Sequence, residues 1–566
     1  MVVPISLMSV VLYGLFDVVK LAHGAMGVNT RCARSHSGTV ARMGGSVHEG
    51  DRENPERRRP QRSARIARNA RPARSTDHLR HVVNPFEPLR VLSEDHVEHV
   101  HRSAVRFLGE HGIRVLLPEA RAILAAVGAT VGDRDDPHIV RMPEELVNAA
   151  LTAAPNTCTV AARNPEYDLA IGGRAVNFFP VGGPPYMSDL INGRRPGTLA
   201  GFEDFVRLTQ SFDVLHSLSP CTEPQDVAVQ LRHLVTTRSM AALSVKPIYV
   251  FARGDKIIAD TFELVRIAMG VSDDEFSSRP HCWTNINVNS PRQLDVPMSM
   301  GIIAFARAGQ VCIMTPFTLA GAMAPVSLAG ALLLQHVEVL AAVTLAQTVR
   351  PGAPVVYGAF TSNVDMRSGS PAFGTPEAFK GAVASGQLAR HIDLPWRSSG
   401  SSSSNVEDAQ AGYETMMNTS GALFGGANIV MHSAGWQEGG LCASFEKFVL
   451  DVEMLQMFAE SFAPLDATDS ELAYDAIAEV GPGGHFFGSS HTLERYDRAF
   501  YEPLVFSRQN IGQWIDEGSP TASVRANAVV RATLERFEPP AIDDATLAEL
   551  DDFVARRTAE GGANPD

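Results

Sequence analysis

Aromatic side chains recur where the apolar, β-branched runs of this chain end, and they are the first candidates for chemistry. Phe178 and Phe179 fall late in the run at 176–181, and Tyr186 follows it. Trp283 stands early in the run at 282–288, Phe317 and Phe360 close two further runs, Trp396 lies inside another, and Trp436 comes just past the last. Ring faces attract a cation that has no N–H to donate, as in a quaternary ammonium. Phe179, Tyr186, Phe360 and Trp436 are the candidate cage for such a cation. The competing assignment for each ring is interior filling, which needs no ligand at all.

Three loop segments add polar candidates: VDMRSG at 364–369, SSSSNVEDAQAGYE at 401–414 and HSAGWQEGG at 432–440. Arg367 could clamp a carboxylate with its two-pronged guanidinium, or pair locally with Asp365. His432 could act as acid, base or orienting donor, or be a satisfied buried histidine. Asp365, Gln410, Glu414 and Glu438 form a second tier, and Asp408 reads equally as a ligand or as a helix cap. No residue is assigned a catalytic role. The chain has no GxSxG elbow and no GxxxxGK[ST] phosphate loop, and Gly172–Gly173 and Gly182–Gly183 do not make a dinucleotide fingerprint.

These residues need elements to hold them. From about 175 to 460 the sequence alternates short β-branched runs with amphipathic helices, and this rhythm predicts a (β/α)8 TIM barrel of the α/β class, with its active face at the loops after the strands. The expected strands are Val176–Val181, His216–Ser219, Pro247–Phe251, Cys282–Val288, Val311–Phe317, Pro354–Phe360, Leu394–Ser398 and Asn428–His432. Helices are expected at Phe202–Ser211, Lys256–Met269, Leu328–Val349, Glu377–Arg390 and Ser444–Phe458. In the Leu328 helix, Leu332, His336, Val339, Leu340 and Val343 share one stripe.

Residues 86–170 read as a helical preface, with Ser93 as an N-cap and helices at Pro118–Val127 and Pro143–Ala154; 171–462 is the core and 463–566 a helical extension. Residues 1–85 read as a disordered tail. Val2–Phe16 is shorter than a membrane span and has no basic leader, and the arginine-rich stretch at 52–80 cannot bury enough apolar surface to order itself. Met26 or Met43 would serve as later starts; an anchor or a nucleic-acid arm are the alternatives for this tail.

A net charge of -14 argues against nucleic-acid binding by the chain as a whole. The cysteines, Cys32, Cys158, Cys221, Cys282, Cys312 and Cys442, show no CxxC or HxC spacing. Reduced thiols in the cytoplasm, and no metal site, are therefore expected.

With these stretches laid out, the chain resembles the trimethylamine methyltransferase family of corrinoid-dependent methylamine and betaine methyltransferases. The resemblance runs from about residue 86 to 558. It rests on LSEDHVEHVHRSAVRFLGEHGIRV (92–115), ARNPEYDLAIGG (162–173), VGGPPYMSDLINGRRPGT (181–198), APVSLAGALLLQHVEVLA (324–341), DAQAGYE (408–414), GANIVMHSAGWQEGGLCASFEKFVLD (426–451) and EVGPGGHFFGSSHTL (479–493). The resemblance implies a barrel that moves a methyl group from a methylated amine to Co(I) on a separate corrinoid protein, with no cofactor bound on this chain. Family members acting on trimethylamine carry pyrrolysine. Only standard residues occur here, which implies the branch that uses quaternary amines such as glycine betaine. The implied partners are the corrinoid protein and a small quaternary amine, with no nucleic acid, no membrane, and a homo-oligomeric state. A methyl donor other than an amine, or a binding or sensor protein that lost transfer, are the alternatives.

Overall fold

Seven of the eight expected runs pair in the computed structural model, which describes residues 76–565. The sheet strands are β1 (Val82–Val83), β2 (Ala175–Phe178), β3 (Ile248–Tyr249), β4 (Cys282–Val288), β5 (Val311–Pro316), β6 (Val355–Gly358), β7 (Trp396–Ser399) and β8 (Ile429–Met431). They are hydrogen-bonded in the order β1-β2-β8-β7-β6-β5-β4-β3. Every pair from β2 round to β3 is parallel, and β1 lies antiparallel on β2 with Val82 opposite Val176. Such parallel neighbours need crossovers, and helices supply them.

The run at 216–219 forms no ladder, for a local reason. His216 N–H donates to Phe178 O at 2.9 Å on the β2 side, and Leu218 N–H donates to Pro247 O at 3.0 Å on the β3 side. Side chains add one further bond on each side. Phe178 N–H donates to His216 Nδ1 at 2.8 Å, and Ser217 Oγ donates to Pro247 O at 2.9 Å, where proline has no N–H of its own. His216 is buried and its basicity is pulled down to about 3 by desolvation, so the neutral ring accepts at Nδ1 and donates from Nε2 to Leu79 O. This segment therefore bridges the two ends of the parallel sheet.

Two apolar cores follow. One lies on the concave face, where Phe179, Trp283, Val311, Ile313, Val356, Ile429 and Met431 meet Val160, Leu169 and Ile171 from the hairpin Thr157–Val160/Leu169–Gly172. The other, larger core lies between the sheet and its helices. These are α1 (Glu94–Glu110), α2 (Pro118–Ala126), α3 (Glu144–Ala153), α4 (Leu199–Ser211), α5 (Arg232–Leu243), α6 (Asp255–Met269), α7 (Val296–Ala308), α8 (Leu328–Val349), α9 (Pro376–His391), α10 (Ala409–Phe424), α11 (Phe445–Phe462), α12 (Ala522–Arg536) and α13 (Asp544–Ala559).

The stripe expected on α8 is only part of what it buries. The helix is apolar all round and is packed all round, against α1, α2 and α3 as well as α7, α9 and the sheet. Among the described residues it alone is long and apolar enough to cross a membrane, and it is buried in the fold.

The preface starts as its sequence signals require, with Ser93 Oγ accepting from His96 N–H at 3.2 Å, but it also carries strands, at Ile113–Val115, Thr130–Val131 and Ile139–Arg141. Of the expected tail, 1–75 lies outside the described residues; 76–85 holds a single 3-10 turn, Asp77–Arg80, and β1. The described cysteines, Cys158, Cys221, Cys282, Cys312 and Cys442, are free thiols, and Cys32 lies outside the described residues.

The described residues fall into two compact units, 76–468 with 501–565, and 469–500. The second consists of short helices, Asp469–Leu472, Tyr474–Glu479 and Ser490–Arg495, with Arg495 donating to Ser470 Oγ at 2.9 Å. In the first, α12 packs on α11, and α13 packs on α5 and α6. There Asp260 accepts from Arg557 Nε at 2.6 Å and Nη2 at 3.1 Å, and faces His233 Nε2 at 3.0 Å. Arg557→Ala removes a two-point, charge-assisted contact and is expected to cost about 2 kcal/mol of stability in urea denaturation. A loss under about 0.5 kcal/mol, the range of ordinary surface substitutions, would show that α13 is held by its apolar face alone.

Candidate functional site

A cavity of about 210 Å³ opens at the C-terminal ends of the strands, above the concave core. Each strand end contributes to its wall: Gly182 and Gly183 after β2, Pro220 and Glu223 after the bridging segment, and Tyr249, Phe251 and Arg253 at and after β3. Asn285, Asn287 and Ser290 come from β4 and its loop, Thr315 and Phe317 from β5, Phe360 from β6, Arg397 from β7, and Met431 and His432 from β8.

Two aromatic pairs form much of the apolar wall. Tyr249 and Phe251 meet edge to face at 5.1 Å between ring centres, and Phe317 and Phe360 lie 4.9 Å apart, on the other side of β4. Trp283 stands under Tyr249 at 5.1 Å, its indole N–H donating to Ser217 Oγ at 2.7 Å. A polar line crosses between the aromatic pairs. Thr315 Oγ1 donates to Asn285 Oδ1 at 2.8 Å, and Asn285 Nδ2 donates to Asn287 Oδ1 at 2.7 Å, which fixes both amides and leaves the Asn287 N–H groups as the donors at its end.

The charged wall residues differ in how they are balanced. Burial pushes the Glu223 carboxyl up, while Arg232, at 3.6 Å, and Arg253 pull it back. Arg397 is 1% exposed. Its Nη1 donates to Ala359 O at 3.1 Å and its Nη2 to His432 Nε2 at 3.2 Å, while its Nε has no partner. Desolvation pulls its basicity down to about 9, so it remains a cation at neutral pH. A guanidinium can only donate, so His432 Nε2 accepts; the imidazole is neutral and carries its proton on Nδ1, a buried atom without a partner. Burial, then the Arg397 charge, hold His432 well below the usual histidine range. His432 sits at φ 55, a left-handed backbone that a non-glycine residue adopts only under constraint.

Of the residues singled out in the sequence, Phe360 and His432 line the cavity. Trp436 lies behind them, fully buried, with its ring 4.0 Å from His432 and 6.2 Å from Phe360. Phe179 is in the concave core, 4.7 Å from Trp283. Tyr186 lies off the wall, on a small four-stranded sheet built from the loops after β2 and β8, and its ring already carries Arg194 at 3.7 Å. Arg194 in turn pairs with Glu438 at 2.9 Å.

Asp365 closes its own turn by accepting from Arg367 N–H and Ser368 N–H, and the Arg367 side chain is exposed, away from the cavity. Glu414 accepts from Ser402 Oγ, Ser403 N–H and Ser404 N–H, and Gln410 donates to its other oxygen. Asp408 caps α10, accepting from Ala411 N–H.

Sequence reasoning passed over Arg397, Glu223, Arg253, Tyr249, Phe251, Asn285 and Asn287. For Arg397 a signal existed: an arginine inside a short apolar strand is a charge placed where burial is expected.

The β4 side of the wall is fixed from outside the sheet. Glu338 on α8, fully buried, accepts from Ser290 Oγ and from Arg292 N–H, both at 2.6 Å. Arg292, at φ 58, then passes the chain to Gln293–Leu294, which pairs with the preface strand Ile113–Val115.

Residues 56–562 match the family Trimethylamine methyltransferase (MTTB). A glycine betaine methyltransferase of Desulfitobacterium hafniense (strain Y51) is 36% identical over 474 residues, covering 83% of this chain and 98% of its own length. A trimethylamine methyltransferase of Desulfitobacterium hafniense (strain DSM 10664 / DCB-2) is 28% identical, covering 83% of this chain and 94% of its own. A trimethylamine methyltransferase of Methanosarcina barkeri (strain Fusaro / DSM 804) is 27% identical, covering 82% and 94%. The solved monomethylamine methyltransferase of Methanosarcina barkeri superposes with a TM-score of 0.48 at 11% identity, covering 79% of this chain and 88% of that one.

Burial pushes the Glu338 carboxyl from 4.5 up to about 7, against the pull of its two donors. The folded chain then holds this proton where the unfolded chain has lost it, so stability falls as pH rises from about 4.5 through about 7. Glu338→Gln should flatten that slope in denaturation curves taken across the window. Equal slopes for the two proteins would show that Glu338 does not titrate there.

Proposed function

The chain belongs to the trimethylamine methyltransferase family, and from that premise we propose that it transfers a methyl group from a betaine-like quaternary amine to the Co(I) centre of a separate corrinoid protein. The observation that carries this reading is the ring-walled cavity at the strand ends, where Tyr249, Phe251, Phe317 and Phe360 present π surface to a permanent cation. The same reading counts the bridging segment at 216–218 as the eighth stave of a closed (β/α)8 barrel, supported by its hydrogen bonds to β2 and β3. It also has the chain acting in the cytoplasm as a homo-oligomer, with the corrinoid entering as a co-substrate on its partner.

The chemistry asks little of the protein beyond placement. The electron pair of Co(I) forms the new bond to the methyl carbon, and the C–N pair returns to nitrogen, which leaves as a neutral tertiary amine without needing a proton. The chain's part is to hold one methyl in line with the mouth and to keep water out. Phe360 and Phe317 wall the ammonium, His432 orients its far end, Trp436 braces Phe360 and His432 from behind, and Phe179 supports Trp283 beneath Tyr249.

Purified protein supplied with reduced corrinoid protein and a panel of methyl donors tests the reading through the absorbance change from Co(I) to methyl-Co(III). Glycine betaine or another quaternary amine should drive the change. Phe317→Leu should raise the KM of that donor about tenfold, the scale of a desolvated cation–π contact, and barely alter binding of a neutral isostere. Donor binding with no methyl-Co(III) formed would identify a binding protein instead. Turnover confined to ethers or thioethers would identify a different donor class.

A further inference from the structure

Arg397 is a cation of the cavity that none of the cavity's own residues answers. Glu223 pairs with Arg232 at 3.6 Å and also feels the charge of Arg253, which stands just after β3 and whose own Nε is buried without a partner. Arg397 stands on β7, four strands further round the sheet. Among the described residues no carboxylate pairs with it; its hydrogen bonds go to one backbone carbonyl and the lone pair of a neutral imidazole. Its Nε–H and the neighbouring His432 Nδ1–H are both buried without an acceptor. Polar groups this deep are normally satisfied, and a buried charge without a counter-charge is costly enough that its persistence calls for an explanation.

We propose that Arg397 is an anion subsite, so that the ligand of this cavity is a zwitterion whose carboxylate lies on the guanidinium while its methylated ammonium faces the rings. The proposal deepens the quaternary-amine reading and rests on it. A guanidinium presents two parallel N–H groups that match the two oxygens of a carboxylate, and one carboxylate neutralises the Arg397 charge. Phe360 joins the two ends: its ring packs 5.4 Å from the Arg397 guanidinium carbon and 4.9 Å from Phe317. A cavity of about 210 Å³ suits a small amino-acid betaine. Trimethylamine and choline lack the anion and would leave Arg397 unanswered.

Calorimetry on the full chain with four probes separates the possibilities: glycine betaine; its amide, which keeps the ammonium and loses the anion; choline; and 3,3-dimethylbutyrate, which keeps the anion and loses the cation. The wild type should bind glycine betaine on the order of 10²-fold tighter than choline or the amide, the usual scale for one side of a buried charge pair. Arg397→Gln should collapse that preference to within about threefold and abolish 3,3-dimethylbutyrate binding, and Arg397→Lys should restore part of both. If 3,3-dimethylbutyrate binds as tightly as glycine betaine, the ammonium reading fails while the anion subsite stands on its dependence on Arg397. Equal wild-type binding of choline and glycine betaine overturns the proposal. So does a carboxylate preference that survives Arg397→Gln, or the absence of binding by either carboxylate. The wild-type comparisons decide the matter even where a variant fails to fold.

Discussion

A guanidinium held out of water constrains everything near it. Arg397 gives up its hydration for one carbonyl and one imidazole nitrogen, and the desolvation is large enough to move its basicity by several orders of magnitude. The neighbours are set by what that charge permits. His432 must stay neutral, because a second positive charge in contact with the first would have nothing to balance it. Its ring is turned by a left-handed backbone and braced by Trp436, so its remaining N–H has one fixed direction. Phe360 carries the guanidinium carbon over its ring at 5.4 Å and meets Phe317 at 4.9 Å, so the polar and apolar parts of the wall share a side chain.

Holding that geometry requires a stiff frame, and the frame is stiff at three places. The ends of the parallel sheet are tied by 216–218, where a histidine and a serine side chain add one bond on each side to those of the backbone. The concave core under the cavity is plugged by a hairpin from the preface, so the rings above it cannot sink. The β4 loop is held by Glu338, reaching from a helix buried on every side, and the same loop joins the preface sheet. Strand ends of a curled parallel sheet can carry a site with this precision because each is fixed by packing on both faces.

Much of the frame was legible because hydrophobic period and capping chemistry are local. Cys282–Val288 and Leu328–Val349 form as their patterns require, and the Ser93 cap is where the helix signal put it. The run at 216–219 was misread because it has strand composition but lies beside Pro247 and uses side chains for some of its bonds, which periodicity does not report. The site was harder still. Aromatic type predicted a π-rich cavity, but whether a ring faces the cavity depends on which of two neighbouring residues points inward. At β7 the indole of Trp396 faces outward between α9 and α10, where a Cβ on Gly386 would stand 2.9 Å from its Cζ2, and so Arg397 points in. Loop carboxylates such as Asp365, Asp408 and Glu414 resembled ligands because caps and turns draw on the same residue types.

The division of labour inside the cavity also fits what a demethylation can use. Positive charge on nitrogen fades as the C–N bond breaks, so a full negative charge beside the ammonium would favour the ground state over the transition state. The one carboxylate on the wall, Glu223, is already paired with Arg232, which on the proposed reading leaves the ammonium to ring faces. Their attraction is weaker and, for a cation whose charge is dispersing, falls more gently. In the proposed zwitterion the carboxylate keeps its charge from start to finish, so an anchor there binds both states equally. It contributes orientation without opposing the reaction. A cavity with a fixed cation at the unreactive end and π surface at the reactive end thus places its strong interaction where strength costs nothing in rate, and its mild interaction where strength would.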